Sequence, residues 1–381
     1  MEDNITIIAT ATMGVETLVR REIETLGYDQ LRVENGKVEV DTTLDAIPRL
    51  NLWLRTADRI KIKVDSFIAH SFEELFEQTK AIPWEMYIGK KDAFPVIGRS
   101  VKSTLYSVPD CQRIVKKAIV ERLKQSYDVD WFEETGAMYK VEVAIHKDVV
   151  TLSIDATGDG LHKRGYRALH SRAPLKETLA AAMIMLTNWK PDMPFVDPFC
   201  GSGTIPIEAA MIGQNIAPGF NRSFVSESWP WIGEQRWEKA REEAEDVASY
   251  DTPLEILGTD IDHRMIELSE NNTKEAGLYG AISFKQMQVA DFTTKHEVGT
   301  IVTNPPYGAR LSEKKDIKTL YQTMGKVFRP LDFWSVYVLT SHESFESLYG
   351  KKATKKRKLY NGNMKTYYYQ FWGKRPPKPH Q

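Results

Sequence analysis

Asp197-Pro198-Phe199-Cys200-Gly201-Ser202-Gly203-Thr204 and, about a hundred residues later, Asn304-Pro305-Pro306-Tyr307 are the two stretches around which the chain is organised. The first predicts a glycine turn between a strand at 193–196 and a helix at 205–212, where backbone N–H groups meet a polar ligand. The second closes a strand at 300–303, and its two prolines forbid continuation of a sheet. Both therefore sit at strand carboxyl ends. In an open α/β sheet those ends share one crevice, the usual ligand site.

Around these stretches strands and helices alternate. Strand 194–196 leads to helix 205–212, strand 254–259 to helix 263–276, and strand 282–289 to a loop. Strand 300–303 leads to helix 316–328, and strand 333–339 to helix 343–349. Such alternation specifies a largely parallel sheet with helices on both faces. The end departs from it: 357–360 and 366–372 flank Asn361-Gly362-Asn363, an antiparallel hairpin. An edge hairpin closing a parallel sheet resembles the class I methyltransferase fold more than a dehydrogenase. Residues 213–253 interrupt the pattern and read as an added helix and covering loop.

Upstream, the elements run β-α-β-β-α-β over 5–67, with Asn35-Gly36 as a hairpin turn, which is the order of a ferredoxin-like module. A second α/β pattern follows to about residue 155. Its helix at 110–127, with Asp110 as expected cap, carries Lys116, Lys117, Arg122 and Lys124; with Lys63, Arg99 and Lys102 this is either a phosphate-binding surface or a solvated helix face. Residues 161–176 form a basic hinge, followed by an alanine-rich helix at 175–189. The expected domains are 1–64, 65–160 and 161–381.

The 381-residue chain is 42% hydrophobic and 27% charged, as in soluble globular proteins, and its net charge of −1 excludes a wholly basic nucleic-acid binder. No apolar run approaches a membrane span and the first residues lack a signal peptide's basic start, so a cytoplasmic location is expected. Cys111 and Cys200 are the two cysteines, without metal-ligand spacing, so no metal is expected. Cys200 reads either as a nucleophile or, in a glycine turn, as a small packing residue.

A nucleoside cofactor needs acceptors for its ribose hydroxyls, and Asp260, closing the second strand before Ile261, supplies them, with Asp262 left to cap the next helix. Asp291 is expected to accept from an adenine amine, with Phe292 packed on the ring; the alternative for Asp291 is a helix cap or a solvated acid. Gly201-Ser202-Gly203 lacks the third glycine of a dinucleotide fingerprint, and the acid lies too far from the turn, which disfavours NAD. Asn304-Pro305-Pro306-Tyr307 points to an aromatic amine as nucleophile. The Asn304 side-chain oxygen and the Pro305 carbonyl each accept one N–H, so the lone pair is aimed at an electrophilic methyl group, and Tyr307 offers a face to a flipped base. The alternative is a tight turn with a core tyrosine.

On these residues the chain resembles the THUMP-domain, class I, S-adenosylmethionine-dependent RNA methyltransferases, specifically the bacterial 23S ribosomal RNA guanine-N2 family, in its single-methyltransferase-domain form. Thr12-Met13-Gly14-Val15-Glu16 and the run 51–59 resemble that family's N-terminal signatures, and 65–155 its THUMP domain, which implies RNA binding. Lys163-Arg164-Gly165-Tyr166-Arg167 and Ala173-Pro174-Leu175-Lys176-Glu177 resemble its entry into the catalytic domain. The resemblance implies that Asp197, Phe199, Cys200, Gly201, Ser202, Gly203 and Thr204 wrap the methionine part of S-adenosylmethionine. It implies Asp260 and Ile261 at the ribose, Asp291 and Phe292 at the adenine, and Asn304, Pro305 and Tyr307 at the target base. Lys163, Arg164, Tyr166, Arg167, Lys355, Lys356 and Arg357 are the expected RNA contacts, the late lysines reading alternatively as a solvated sheet edge that blocks pairing. The implied partner is 23S ribosomal RNA or a large-subunit assembly intermediate. Rival readings are an adenine-amino methyltransferase, a non-enzymatic assembly factor and, last, a nicotinamide oxidoreductase.

Overall fold

The computed structural model describes residues 4–167, 175–307 and 314–375. They divide into two compact units, one formed mainly by the first 161 residues together with 223–242, the other by most of the remainder.

The first unit is built on one seven-stranded sheet. Strands β1 (Asn4–Ala11), β2 (Leu31–Glu34), β3 (Lys37–Thr43), β4 (Ala57–Ile68), β5 (Val96–Val101), β6 (Val141–His146) and β7 (Val149–Asp155) lie in the order β2-β3-β1-β4-β7-β6-β5. Helices α1 (Glu16–Thr25) and α2 (Ala46–Trp53) complete the ferredoxin-like order, and α3 (Phe72–Ala81) and α4 (Val108–Tyr127) belong to the second α/β pattern. The expected boundary at residue 64 falls inside β4. That strand is 12 residues long, pairs with β1 on one side and with β7 on the other, and so makes one sheet of two sequence patterns.

Helix α4 starts earlier than expected, with Ser107 rather than Asp110 at the cap and Pro109 in the first turn, where a missing N–H costs nothing. Its basic face is largely neutralised within the unit. Lys116 pairs with Glu134 and Arg122 with Glu85, each at 2.5 Å, while Lys63 meets Glu39 at 3.1 Å and Arg99 meets Glu142 at 3.2 Å. The solvated-face reading fits these residues better than a phosphate site.

Part of the insertion is core of this same unit. Trp229 stacks on Tyr139 with ring centroids 4.6 Å apart, its indole N–H donates to the Met138 carbonyl, and Trp231 donates to the Tyr87 carbonyl. Helix α7 (Glu234–Asp246) follows. What read as an added helix and covering loop supplies aromatic packing to the N-terminal unit.

The second unit holds β8 (Phe195–Asp197), β9 (Ile256–Asp260), β10 (Ile282–Gln286), β11 (Val298–Thr303), β12 (Phe333–Thr340), β13 (Lys355–Asn361) and β14 (Met364–Phe371), ordered β10-β9-β8-β11-β12-β14-β13. The first five run parallel, and β14 and β13 are antiparallel, as the turn at Asn361-Gly362 predicts. Helices α5 (Glu177–Met185), α6 (Thr204–Gly213), α8 (His263–Glu275), α9 (Lys314–Phe328) and α10 (Phe345–Tyr349) accompany the strands. Successive strand residues enter opposite cores: Phe195, Val302, Tyr337 and Tyr368 pack with α5 and α6, while Val196, Ile301, Val338 and Tyr369 pack with α9 and α10. Burial on both faces goes with the apolar runs Phe195-Val196, Ile301-Val302 and Val336 to Leu339 in the central strands. From β8 the chain builds outward through β9 to β10, then returns to β11 on the other side of β8. The strand order therefore reverses between β8 and β11, and a ligand crevice forms at such a switch point.

Candidate active site

The crevice is a cleft of about 750 Å³. Pro198, Phe199 and Gly201 reach it from the β8–α6 turn, Asp260 and Ile261 from the end of β9, and Asn304 through Tyr307 from the end of β11. The two stretches quoted at the outset thus face one cavity.

Each wall has a local cause. Gly201 and Gly203 have φ of +51° and +82°, which L side chains avoid, so the turn needs glycine at both. A Cβ at Gly201 would meet nothing within 4 Å, leaving room for a ligand against the backbone, whereas one at Gly203 would stand 2.8 Å from the Ser269 Cβ. The Gly201 N–H donates to one Asp260 oxygen at 3.1 Å, and the Asp262 N–H to the other at 3.0 Å. Each carboxylate oxygen keeps a further lone pair for a hydroxyl donor. Asp262 caps α8 through the Arg264 N–H, as expected.

Asp197 is buried and joins the two motifs. Its Oδ1 accepts from the Thr303 hydroxyl at 2.7 Å and from the Phe199 N–H at 3.1 Å, so the residue preceding Asn304 is tied to the glycine turn. Burial is the main cause that lifts its pKa from 3.8 to about 7; the two hydrogen bonds oppose the rise and the nearby Asp260 charge adds to it. Behind the second motif, the Tyr321 hydroxyl donates to the Pro306 carbonyl at 2.8 Å and shares a 2.9 Å bond with Thr340. Tyr307 donates its hydroxyl to Asn304 Oδ1.

Several expected contacts lie elsewhere. Cys200 is buried and its thiol is pushed far above the ordinary range, chiefly by desolvation, which leaves packing and not nucleophilic attack as its role. Ser202, Gly203 and Thr204 are buried behind the cleft and shape the turn. Asp291 ends a 3-10 turn (Val289–Asp291) and is exposed. Phe292 packs edge-on against Phe328 and Trp334 in the core and is no platform for a purine. This side of the cleft is lined instead by Met265, Met287, Gln288, Val289 and Ala290, beside Ile261, which is 63% exposed. No short motif marks these residues; only their place just beyond β9 and β10 foretells them. Asn361, from the turn of the terminal hairpin, is also in the cleft and was missed.

The basic hinge needs the largest correction. Arg164 is buried and makes a two-pronged pair with Glu208 of α6, both contacts at 3.1 Å. Arg167 pairs with Glu177 at 3.3 Å and donates to the Thr204 hydroxyl at 2.5 Å, and Tyr166 lies in the apolar core. These three side chains are internal fastenings, not an RNA surface. Lys163 is exposed, and its carbonyl accepts from Arg222. His170, Arg172, Ala173 and Pro174, like Lys378 and the prolines after Arg375, lie outside the described residues. On the hairpin, Lys355 and Lys356 are exposed, Lys356 standing 4.1 Å above the Tyr367 ring; Arg357 is half-buried.

Residues 164–370 match the family described as the RMKL-like methyltransferase domain. The chain belongs to that family. In the N-terminal unit, 6–61 match the RlmL ferredoxin-like domain and 69–155 the THUMP domain. The chain is 63% identical to "Putative RNA methyltransferase YpsC" of Bacillus subtilis, covering 98% of this chain and 97% of that one. It is 31% identical to ribosomal RNA large subunit methyltransferase K/L of Shewanella baltica over 94% of this chain, and it spans about half (52%) of that relative's length. Among solved structures, SMU.472, described as "a putative methyltransferase complexed with SAH", matches with TM-score 0.94 and 48% identity over 99% of this chain and all of that one. A Listeria monocytogenes protein described as "a predicted N6-adenine-specific DNA methylase" matches with TM-score 0.94 and 59% identity over 97% of each chain.

Fold and family make this an S-adenosylmethionine-dependent methyltransferase of the RlmK/L type. The cleft fits that cofactor: open backbone at Gly201, an acid at the end of β9, and a methionine-lined slot beside it. Among the described residues no cluster of His, Cys, Asp and Glu is arranged to hold a metal, and no helix is long and apolar enough to cross a membrane.

Proposed function

We propose that the protein methylates the exocyclic N2 of a guanine in 23S ribosomal RNA. The observation that carries the reading is the convergence of Gly201, Asp260 and the Asn304–Tyr307 loop on one cleft. Bound there, S-adenosylmethionine supplies an electrophilic methyl group on sulfur.

The chain's own groups then have distinct tasks. Asp260 accepts the ribose hydroxyls, and the turn at Gly201 receives the methionine portion against bare backbone. Asn304 Oδ1 and the Pro305 carbonyl accept the two N–H bonds of the base amine, whose lone pair is otherwise delocalised into the ring. Holding both N–H bonds fixes the attack direction, and the gain is orientation and electrostatics. No strong base is required, because the amine becomes acidic once alkylated.

RNA as substrate is supported by the THUMP match at 69–155 and by the names of the Bacillus and Shewanella relatives. Residues 65–160 grip structured RNA by shape, and the exposed lysines of the terminal hairpin contact phosphate. Replacing Asn304 by Ala should reduce methyl incorporation into RNA from a deletion strain by at least about a hundredfold, the scale of lost polar transition-state contacts. Binding of S-adenosylhomocysteine, measured by calorimetry, should persist. Undiminished incorporation would remove Asn304 from the chemistry.

The Asn-Pro-Pro-Tyr loop specifies an amine rather than a base, and the Listeria structure's description favours adenine as a second reading. Nucleoside mass spectrometry of RNA and DNA from the deletion strain separates the two, since loss of N2-methylguanosine and loss of N6-methyladenine are distinct masses.

A further inference from the structure

The two acceptors proposed for the base amine, Asn304 Oδ1 and the Pro305 carbonyl, lie between two anchors in the chain. On one side the Thr303 hydroxyl donates to the buried Asp197 at 2.7 Å. On the other the Tyr321 hydroxyl, from the middle of α9, donates to the Pro306 carbonyl at 2.8 Å. Tyr321 is fully buried, as is Thr340 at the end of β12, whose hydroxyl stands 2.9 Å from the phenol oxygen. The directions of these bonds follow from the protons available. A phenol has one proton and a carbonyl can only accept, so Tyr321 donates to Pro306 and the Thr340 hydroxyl donates to Tyr321. Thr340 Oγ1 in turn accepts the His342 N–H at 3.1 Å. The donors thus run one way, from His342 through Thr340 and Tyr321 to the loop. Burial is the main cause that pushes the Tyr321 pKa up to about 12, so the phenol remains a donor at neutral pH.

Between the anchors the backbone has little freedom. Proline rings fix φ at 305 and 306, and Pro306 confines Pro305 to extended geometry. A hydrogen bond that holds the Pro306–Tyr307 peptide plane therefore also sets the direction of the Pro305 carbonyl and the place of Asn304. We propose that Tyr321 is a positioning residue for methyl transfer: its hydroxyl, oriented by Thr340, holds the Asn304–Pro305 acceptors at the angle the target amine requires. The inference rests on the proposed role of Asn304 and Pro305. Tyr321 acts through the loop alone, since Leu320 and Thr323 of the same helix line the cleft and Tyr321 lies behind it.

Tyr321→Phe keeps the ring and removes the hydroxyl, and methyl incorporation into total RNA from a strain lacking the gene reads the effect. The kcat should fall about tenfold, the scale of one net hydrogen bond, while KM for RNA and affinity for S-adenosylhomocysteine stay within about twofold of wild type. A tyrosine that only fills the core would lower the melting temperature and leave kcat of the folded enzyme unchanged, and that result would overturn the proposal. Thr340→Val should slow turnover about threefold through the misaligned phenol, and Thr340→Ser, which keeps the hydroxyl, should restore the rate. This pair reads the same line of bonds if Tyr321→Phe fails to fold. The double variant Tyr321→Phe/Thr340→Val should be no slower than Tyr321→Phe, because Thr340 acts through the phenol; effects that multiply would refute the line. Amide hydrogen exchange gives a readout that needs no RNA: the Asn304 and Tyr307 N–H groups should exchange faster in Tyr321→Phe, and unaltered exchange at both would refute the anchor. Wild-type enzyme inactive on every RNA would sink the proposed function, while the exchange measurement would still decide whether Tyr321 holds the loop.

Discussion

Arg164 offers the sharpest test, because its sequence context reads as an RNA contact and its surroundings as a buried ion pair. Its side chain is 2% exposed and that of Glu208 is fully buried. Replacing Arg164 by Met keeps the bulk and removes the charge, leaving Glu208 uncompensated. Glu177 is close enough to add like-charge repulsion, and Arg167 is paired with Glu177. Breaking one side of a buried pair costs about 3–5 kcal/mol. At about 2–4 °C per kcal/mol for a unit of this size, the melting temperature should drop by about 10 °C. Arg164 is one of the charges that hold down the pKa of Glu177, already raised by burial, so its loss should lift that pKa further above the unfolded value. Stability from a raised acid is present below the unfolded pKa and is lost as pH rises through the folded one. The deficit of Arg164→Met relative to wild type should therefore be smaller at pH 5 than at pH 8. The double variant Arg164→Met/Glu208→Met should regain most of the loss, since apolar replacement of a whole buried pair is close to neutral. Thermal unfolding followed by circular dichroism at the two pH values, with a salt titration of RNA affinity, gives all the readouts. An unchanged melting temperature together with a salt slope reduced by about one would refute the ion-pair account and restore Arg164 as a phosphate contact.

Gly203→Ala should destabilise the chain by roughly 2–4 kcal/mol, combining left-handed backbone strain with the 2.8 Å approach to Ser269, and should weaken S-adenosylhomocysteine binding through the displaced turn; urea unfolding and calorimetry check it. Asp197 carries a pKa of about 7 against 3.8 unfolded, so its contribution falls by at most about 1.4 kcal/mol per pH unit as pH rises between those values. Asp197→Asn, which keeps both accepted hydrogen bonds, should thus gain stability relative to wild type from pH 4 to pH 7 and hold level above; a pH-independent difference would contradict the buried-acid assignment. Changing Lys355, Lys356 and Lys358 together to Ala should lower RNA affinity and reduce its salt slope by about two, with cofactor binding preserved, as judged by fluorescence titration at several ionic strengths.

Much of this protein was legible in local chemistry. Glycines at 201 and 203, an acid after β9 and prolines after β11 each impose a backbone or donor–acceptor requirement that acts over a few residues, so the strand–turn–helix order and the two motif loops could be placed without coordinates. The Asn361-Gly362 turn foretold the antiparallel end for the same reason. What only the tertiary structure decided concerns side chains whose partners are distant in sequence. Charge alone makes Arg164 and Arg167 look like RNA contacts, but Glu208 and Glu177 meet them only once α5 and α6 pack. Phe292 follows β10 as an adenine platform would, yet the packing of Phe328 and Trp334 turns it inward. The continuity of β4 across two sequence patterns, the capture of Trp229 and Trp231 by the N-terminal unit, and the arrival of Asn361 in the cleft belong to the same class. Local pattern records what a residue can do; long-range packing selects the neighbour it does it with, because burial forces each polar group to find a partner wherever the fold brings one.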